Sequence, residues 1–206
     1  IDIPSYLNVS GIEVVAAIDD QLENEGFASA TFNLDEVFED AQGDDLSFEV
    51  TNGNSGVVTT SISGATLTIS EVGIGTSEIE VTAKDADGNL AFINFMFTIN
   101  AIPKLDAVLG DLELESGFGT EVIDLTNAFV DEDDDELTYT VSSDATGVVT
   151  AKIATQTLTL TEVGLGSSTI TLTADDGLGG DVEGELEPAS GVAWAVEGVG
   201  LVVTCF

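Results

Sequence analysis

The chain says nearly the same thing twice, 91 positions apart. Residues 45–83 read DLSFEVTNGNSGVVTTSISGATLTISEVGIGTSEIEVTA, and residues 136–174 read ELTYTVSSDATGVVTAKIATQTLTLTEVGLGSSTITLTA. The segments align without a gap, and 18 of the 39 pairs are identical. The register continues backwards, laying FNLDEVFEDAQGDD (32–45) on IDLTNAFVDEDDDE (123–136). A unit this long is a small domain rather than a solenoid turn. The duplication therefore predicts two similar domains in tandem, at 12–100 and 101–188. Residues 1–11 read as the end of a preceding segment and 189–206 as an atypical apolar tail.

Both repeats carry the two-residue period of a β-strand. Leu46, Phe48 and Val50 alternate with Ser47 and Glu49, and Leu137, Tyr139 and Val141 alternate in the same way. Further strands are expected at 57–62, 66–69, 77–84 and 91–99, and at 148–153, 157–160 and 168–174. Each module would open with a strand at 13–18 or 105–109, followed by one at 28–34 or 120–125. Gly56, Gly64, the Val72-Gly73-Ile74-Gly75 run and Asp87-Gly88-Asn89 punctuate them as turns. About seven short strands per roughly 90 residues, without helical periodicity, predict an all-β chain of two tandem immunoglobulin-like β-sandwiches.

The second sandwich is expected to be irregular or incomplete at its last strand. In the first repeat Ile93, Phe95, Phe97 and Ile99 share one face; the same register in the second yields Gly184, Leu186, Pro188 and Ser190. The sequence ASGVAWAVEGVGLVVTCF follows, apolar but too short and too interrupted by glycine and Glu197 for a membrane span. Two readings stand open for it: an edge strand over 201–206, or a truncated or shifted reading frame. Between the repeats, Asn100-Ala101-Ile102-Pro103 is a short linker stiffened by proline.

Charge narrows the functions. Asp and Glu number 39, against Lys84, Lys104 and Lys152, with no Arg or His, for a formal net charge of −36. Such a surface repels nucleic acid and anionic lipid. It also strains the folded state unless cations screen or bind it, as salt adaptation or a cation site would provide. Simple solubility of a secreted surface protein is a further account of the acidity. With 43% apolar residues and a mean hydropathy of +0.29, the chain has enough apolar content for a core. Cys205 is the single cysteine, so no intrachain disulfide forms, and the absence of histidine removes any His-dependent nucleophile. No catalytic residue is assigned, and the chain reads as a non-enzyme.

The acidic residues are not evenly spread. Asp131, Asp133 and Asp135 alternate with Glu132, Asp134 and Glu136 in the loop after the second strand, and Asp175-Asp176-Gly177 follows the sixth. In an immunoglobulin-like sandwich these loops lie at one end. Calcium takes six to eight hard oxygen ligands, which makes Asp131, Asp133, Asp135 and Asp176 the candidate ligands. Asp40, Asp44, Asp85 and Asp87 are weaker counterparts in the first repeat, where Gln42 stands in the place of Asp133. A solvated acidic loop in a chain acidic throughout is the competing reading. Tyr139, aligned with Phe48, reads as core.

The segments FVDEDDDELTYTVSS and GVVTAKIATQTLTLTEVGLGSSTITLTADDGLGG, matched by FEDAQGDDLSFEV and EIEVTAKDADGN, resemble the cadherin-like and dystroglycan-type cadherin-like repeats of bacterial surface and secreted proteins. The resemblance covers about residues 13–183. It implies an immunoglobulin-like sandwich, calcium near module junctions, and adhesion or carbohydrate attachment. The linker departs from that pattern, since no acidic run precedes Asp106. The leading expectation is a calcium-stabilised structural or adhesive spacer of an extracellular, cell-surface or secreted protein. Its partners would be calcium ions and a surface polysaccharide or another copy of the repeat. The alternative is a carbohydrate-binding accessory module of a secreted polysaccharide-degrading enzyme, against which the 13 aromatics, mostly at strand-core positions, count.

Overall fold

The computed structural model describes residues 11–106, 112–179 and 199–205. It divides into two compact units, Ile1–Ala101 and Ile102–Phe206. Residues 1–10, read as the end of a preceding segment, and Trp194 lie outside the described residues.

Unit 1 begins with β1 (Ile12–Val14), β2 (Gln21–Asn24) and β3 (Ser29–Asn33). A 3-10 turn at Leu34–Glu36 leads into β4 (Phe38–Asp40), and β5 (Ser47–Asn52), β6 (Val58–Ser63) and β7 (Thr66–Glu71) follow. Two long strands, β8 (Gly75–Lys84) and β9 (Leu90–Asn100), complete it. One sheet has the order β2-β9-β8-β5 and the other β3-β7-β6, with β1 and β4 paired as a small ribbon. Alternation decides what is buried: Ser77, Ile79, Val81 and Ala83 of β8 turn inward, as do Ile93, Phe95, Phe97 and Ile99 of β9. They pack on Leu67 and Ile69 of the facing sheet, with ring pairs Phe27–Phe97 and Phe32–Phe95 at 5.7 Å.

Unit 2 repeats the plan strand for strand. β10 (Lys104–Leu105), β11 (Leu112–Leu114), β12 (Thr120–Asp124) and β13 (Phe129–Val130) precede β14 (Thr138–Ser143), β15 (Val149–Ala154), β16 (Thr157–Glu162) and β17 (Gly166–Asp175). The last strand is β18 (Val199–Cys205). Its sheets run β11-β18-β17-β14 and β12-β16-β15, with β10 and β13 as the ribbon. Leu158 and Leu160 meet Ile170 and Leu172 in a core that also buries Leu125 and Val149.

The EVGxG signature shared by the repeats is a turn forced by close approach. A Cβ on Gly164 would lie 2.7 Å from the Gly147 carbonyl oxygen, and Gly166 holds φ +136°.

One feature differs from the expectations, and a second bears on a reading the sequence leaves open. The opening strand of each repeat is split in two: β1 pairs antiparallel with β4, and the chain then crosses to run parallel with β9 as β2. Leu105 of β10 and Leu112 of β11 stand in the same relation to β13 and β18. The second feature concerns the irregular last strand of unit 2. The place of β9 is taken by Val199–Cys205, which lies wholly within the apolar tail at 189–206 and overlaps the strand read as one possibility over 201–206; residues 184–190 lie outside the described residues. Val199, Leu201, Val203 and Cys205 are in register with Leu172, Ile170, Ser168 and Gly166. Ile93, Phe95, Phe97 and Ile99 stand in the same register against Val81, Ile79, Ser77 and Gly75. The tail is thus part of the sandwich. The segment between β17 and β18 spans 176–198, against 85–89 between β8 and β9. Among the described residues no helix is long and apolar enough to cross a membrane.

Candidate metal centre

The loop joining β13 to β14 is built around one side chain. Asp131 follows the ribbon strand β13 and is buried; its Oδ1 accepts the backbone N–H of Asp133 (2.8 Å) and of Asp135 (3.4 Å). Its carbonyl accepts the N–H of Asp134 at 3.3 Å. This is the local Asx turn that a short acidic side chain makes at the start of a loop. The loop closes around Asp131 Oδ1, and the other oxygen, Oδ2, is buried with no hydrogen-bond partner. An ionised oxygen left so is costly, because burial removes its water without replacement.

Among the described residues, Asp131, Asp133 and Asp135 form the one set of three acidic side chains able to converge on an ion, each offering an oxygen within 4.8 Å of the others. That span matches two calcium ligands on opposite sides of one ion, at about 2.3–2.6 Å each. The donors are all carboxylate oxygens, the chemistry of a hard cation rather than of zinc or copper.

Asp176 comes from the turn after β17, where its carboxylate accepts the N–H of Leu178 at 2.8 Å. It belongs to the same field. Burial first, and then the negative charges of Asp131, Asp133 and Asp176, push Asp135 above the ordinary aspartate pKa. Folding thus brings the two acidic loops together. The ribbon strand β10 adds a cation at the edge, with Lys104 Nζ 3.0 Å from Glu132 Oε1.

Unit 1 has the scaffold without the cluster. Asp40 is buried, its Oδ1 accepts the N–H groups of Gln42 (2.8 Å) and Asp44 (3.1 Å), and its Oδ2 is again buried without a partner. Around it the charge is thinner. Asp44 and Asp87 are exposed. Asp85 is buried but occupied: its two oxygens accept the N–H and the Nδ2 of Asn89 at 2.8 and 2.6 Å, closing the turn between β8 and β9. The Asn89 side chain is the main cause holding the Asp85 pKa below the ordinary value. Asp40, Asp44, Asp85 and Asp87 are not brought into a set like that of unit 2.

A cleft of about 670 Å³ opens beside the unit 2 cluster, lined on one side by Asp131, Asp134 and Asp135 and on the other by Ile153, Thr155 and Gln156 of the β15–β16 turn. Tyr139 lines it as well, half-buried and 5.8 Å from the ring of Phe129. The sequence reading of Tyr139 as core holds for the ring contact and misses the cleft. Thr155 and Gln156 escaped the sequence reading too, although a signal was present, since they replace Gly64 and Ala65 of the first repeat.

No protein-family model matches the chain, and no curated protein matches it. Among solved structures it is similar to extracellular domains 3–5 of Drosophila OTK, at 13% identity over 95% of this chain and 62% of that one, with a TM-score of 0.54. It is also similar to the I-band fragment of titin that holds three immunoglobulin domains, at 9% identity over 95% and 65%, with a TM-score of 0.53. At these identities the likeness shows the fold, an immunoglobulin-like β-sandwich. An endo-fucoidan hydrolase of glycoside hydrolase family 107 matches along the whole chain at 13% identity with a TM-score of 0.40. The chain spans 30% of that enzyme's length.

Proposed function

We propose that the chain is a calcium-stabilised structural and adhesive spacer, without catalytic activity, from an extracellular multidomain protein of a bacterial surface or secretome. The buried, unpartnered Oδ2 of Asp131 carries this reading. A polar atom in that state wants a cation, and Asp133 and Asp135 stand around it as further hard donors. Asp176 is the fourth carboxylate, and water and backbone carbonyls would complete the ligand set. A bound divalent ion would neutralise carboxylates that otherwise repel and tie the β13–β14 loop to the end of β17. Stiff end loops suit a module that spaces or displays something else. Unit 1, with Gln42 in the loop and Asp85 committed to Asn89, is the weaker site.

Thermal melting under calcium titration tests the reading, with magnesium at matched ionic strength as control. A selective rise with calcium that disappears in Asp133→Asn supports it. Equal rises with both ions mean screening of the −36 charge and defeat it. The reading as a carbohydrate-binding module draws support from one observation, the cleft beside the cluster.

A further inference from the structure

Two non-glycine residues among those described hold a left-handed backbone, Asp134 at φ 62° and Thr155 at φ 54°. Both line the cleft beside the acidic cluster. The aligned positions of the first repeat are glycines in the same conformation, Gly43 at φ 80° and Gly64 at φ 61°. Glycine adopts that region without strain. A β-branched threonine does so only under strain, and such strain gathers at binding and catalytic sites. The turn of unit 1 shows that this fold does not need the side chain there.

Other differences around the cleft run the same way. Gln156 replaces Ala65 and Tyr139 replaces Phe48, each adding a polar group. Asp131, 6% exposed and with its Oδ2 unpartnered, forms part of the wall. Four apolar or side-chain-free positions have thus become hydrogen-bonding ones about a single cavity, three of them on a left-handed or turn backbone. Stability alone does not reward that pattern.

We propose that this cleft binds a neutral saccharide whose adjacent hydroxyls complete the coordination of an ion held by Asp131, Asp133 and Asp135. The inference rests on the calcium reading above for the ion and deepens the carbohydrate-binding reading by naming the sugar class, its contacts and its bond to the ion. The chemistry of the walls selects the class. No basic residue lines the cleft, and five carboxylates border or approach it, so phosphate, sulfate and uronate groups are repelled even with a divalent ion bound. Threonine, glutamine and tyrosine offer mixed donors and acceptors, the groups that pair with sugar hydroxyls. Phe129 and Tyr139 add apolar ring surface against which the C–H face of a pyranose packs.

The test uses the whole chain and three probes, methyl α-mannoside, methyl β-galactoside and methyl β-glucoside. Saturation-transfer NMR reports sugar contact, and isothermal titration reports calcium separately. Saturation transfer to at least one glycoside in calcium, abolished by chelator, is the expected result. The triple variant Tyr139→Phe, Thr155→Gly, Gln156→Ala gives the cleft the residues of the first repeat, where the same fold already tolerates them. It is expected to melt at or above the temperature of the original chain and to bind calcium within about twofold. It should bind sugar at least about tenfold more weakly, the loss of two or three modest hydrogen bonds. Calcium binding with no transfer to any glycoside overturns the saccharide proposal and leaves the calcium reading intact. Transfer that is equal in chelator overturns the ion-bridged mode, and a failure to bind calcium removes both readings. Undiminished transfer in the triple variant removes the cleft as the site.

Discussion

Asp131 and Asp40 occupy the same place in the two repeats, and each spends one carboxylate oxygen on its own loop while the other is buried without a partner. In unit 2 that oxygen faces company of the same charge; in unit 1 the neighbours are fewer or already bonded. Asp131→Asn keeps an oxygen to accept the Asp133 N–H and removes the buried charge. In chelator the variant is therefore expected to melt no lower than the original chain, and in calcium it should lose the ion-dependent gain. A variant that melts several degrees lower in chelator would show that the second oxygen has a partner after all.

Acidity should act on calcium through Asp135. Its folded pKa is raised, by burial and then by Asp131, Asp133 and Asp176, so protons compete with the ion at a pH above the ordinary aspartate value of 3.8. Calcium affinity is expected to fall as pH drops through that raised value, measured by titration calorimetry. Without calcium the sign reverses. Ionised Asp135 is disfavoured in the fold, so its contribution to stability is largest below 3.8 and lost as pH rises through the folded pKa. Asp135→Asn should flatten both dependences.

A second carboxylate works in the opposite direction. Glu162 accepts the N–H groups of Gly117 (2.9 Å) and Gly119 (3.3 Å), which hold its pKa below 4.5. Its contribution is present above 4.5 and lost as pH falls through the lower folded value. Glu71 makes the matching bond to Gly26 at 2.9 Å in unit 1. Glu162→Gln should lower the melting temperature of unit 2 at neutral pH by a few degrees and leave a difference that shrinks as pH falls below 4.5. An unchanged neutral melt would reduce the clamp to a surface contact.

The last strand of unit 2 offers a test by deletion. β18 lies between β11 and β17, so a chain ending at residue 198 loses an inner strand of a four-stranded sheet. Calorimetry is expected to keep the unit 1 transition and lose that of unit 2. Retention of both would show that Val199–Cys205 are dispensable to the fold.

In unit 1 the equivalent strand is anchored by Phe97, fully buried against Phe27. Phe97→Ala should cost about 3–5 kcal/mol, a large part of the stability of a domain this size. Chemical denaturation followed in a single-unit fragment, if that fragment melts cooperatively, measures it directly; a cost below about 1 kcal/mol would mean the core collapses to fill the space.

Most strands were legible because their signal is local. Leu46, Phe48 and Val50, or Ile79, Val81 and Ala83, alternate within a few residues, and the period of two fixes the inward face whatever the partner strand. The splitting of the opening strand was not legible. Ile12–Val14 and Gln21–Asn24 join different partners, and nothing within the segment records which sheet each will meet. At the candidate site the residue types were readable and the ranking was not. Asp85 reads as a ligand by residue type, and only the fold brings Asn89 to donate to both its oxygens.

The duplication and its alternating apolar residues determined by themselves that this chain makes two immunoglobulin-like sandwiches and that one pair of loops is heavily acidic. Tertiary structure alone decided which segment completes unit 2, because an edge is filled by whichever strand closes on it with its apolar face in register, however far along the chain it lies. It also decided that Asp131, Asp135 and Asp176 share one field and that Thr155 and Tyr139 meet across a cleft beside them. Asp176 lies some 40 residues from the Asp131–Asp135 loop and Thr155 lies 16 from Tyr139, and only the packing of the strands sets the distances through which their charge and hydrogen bonding act.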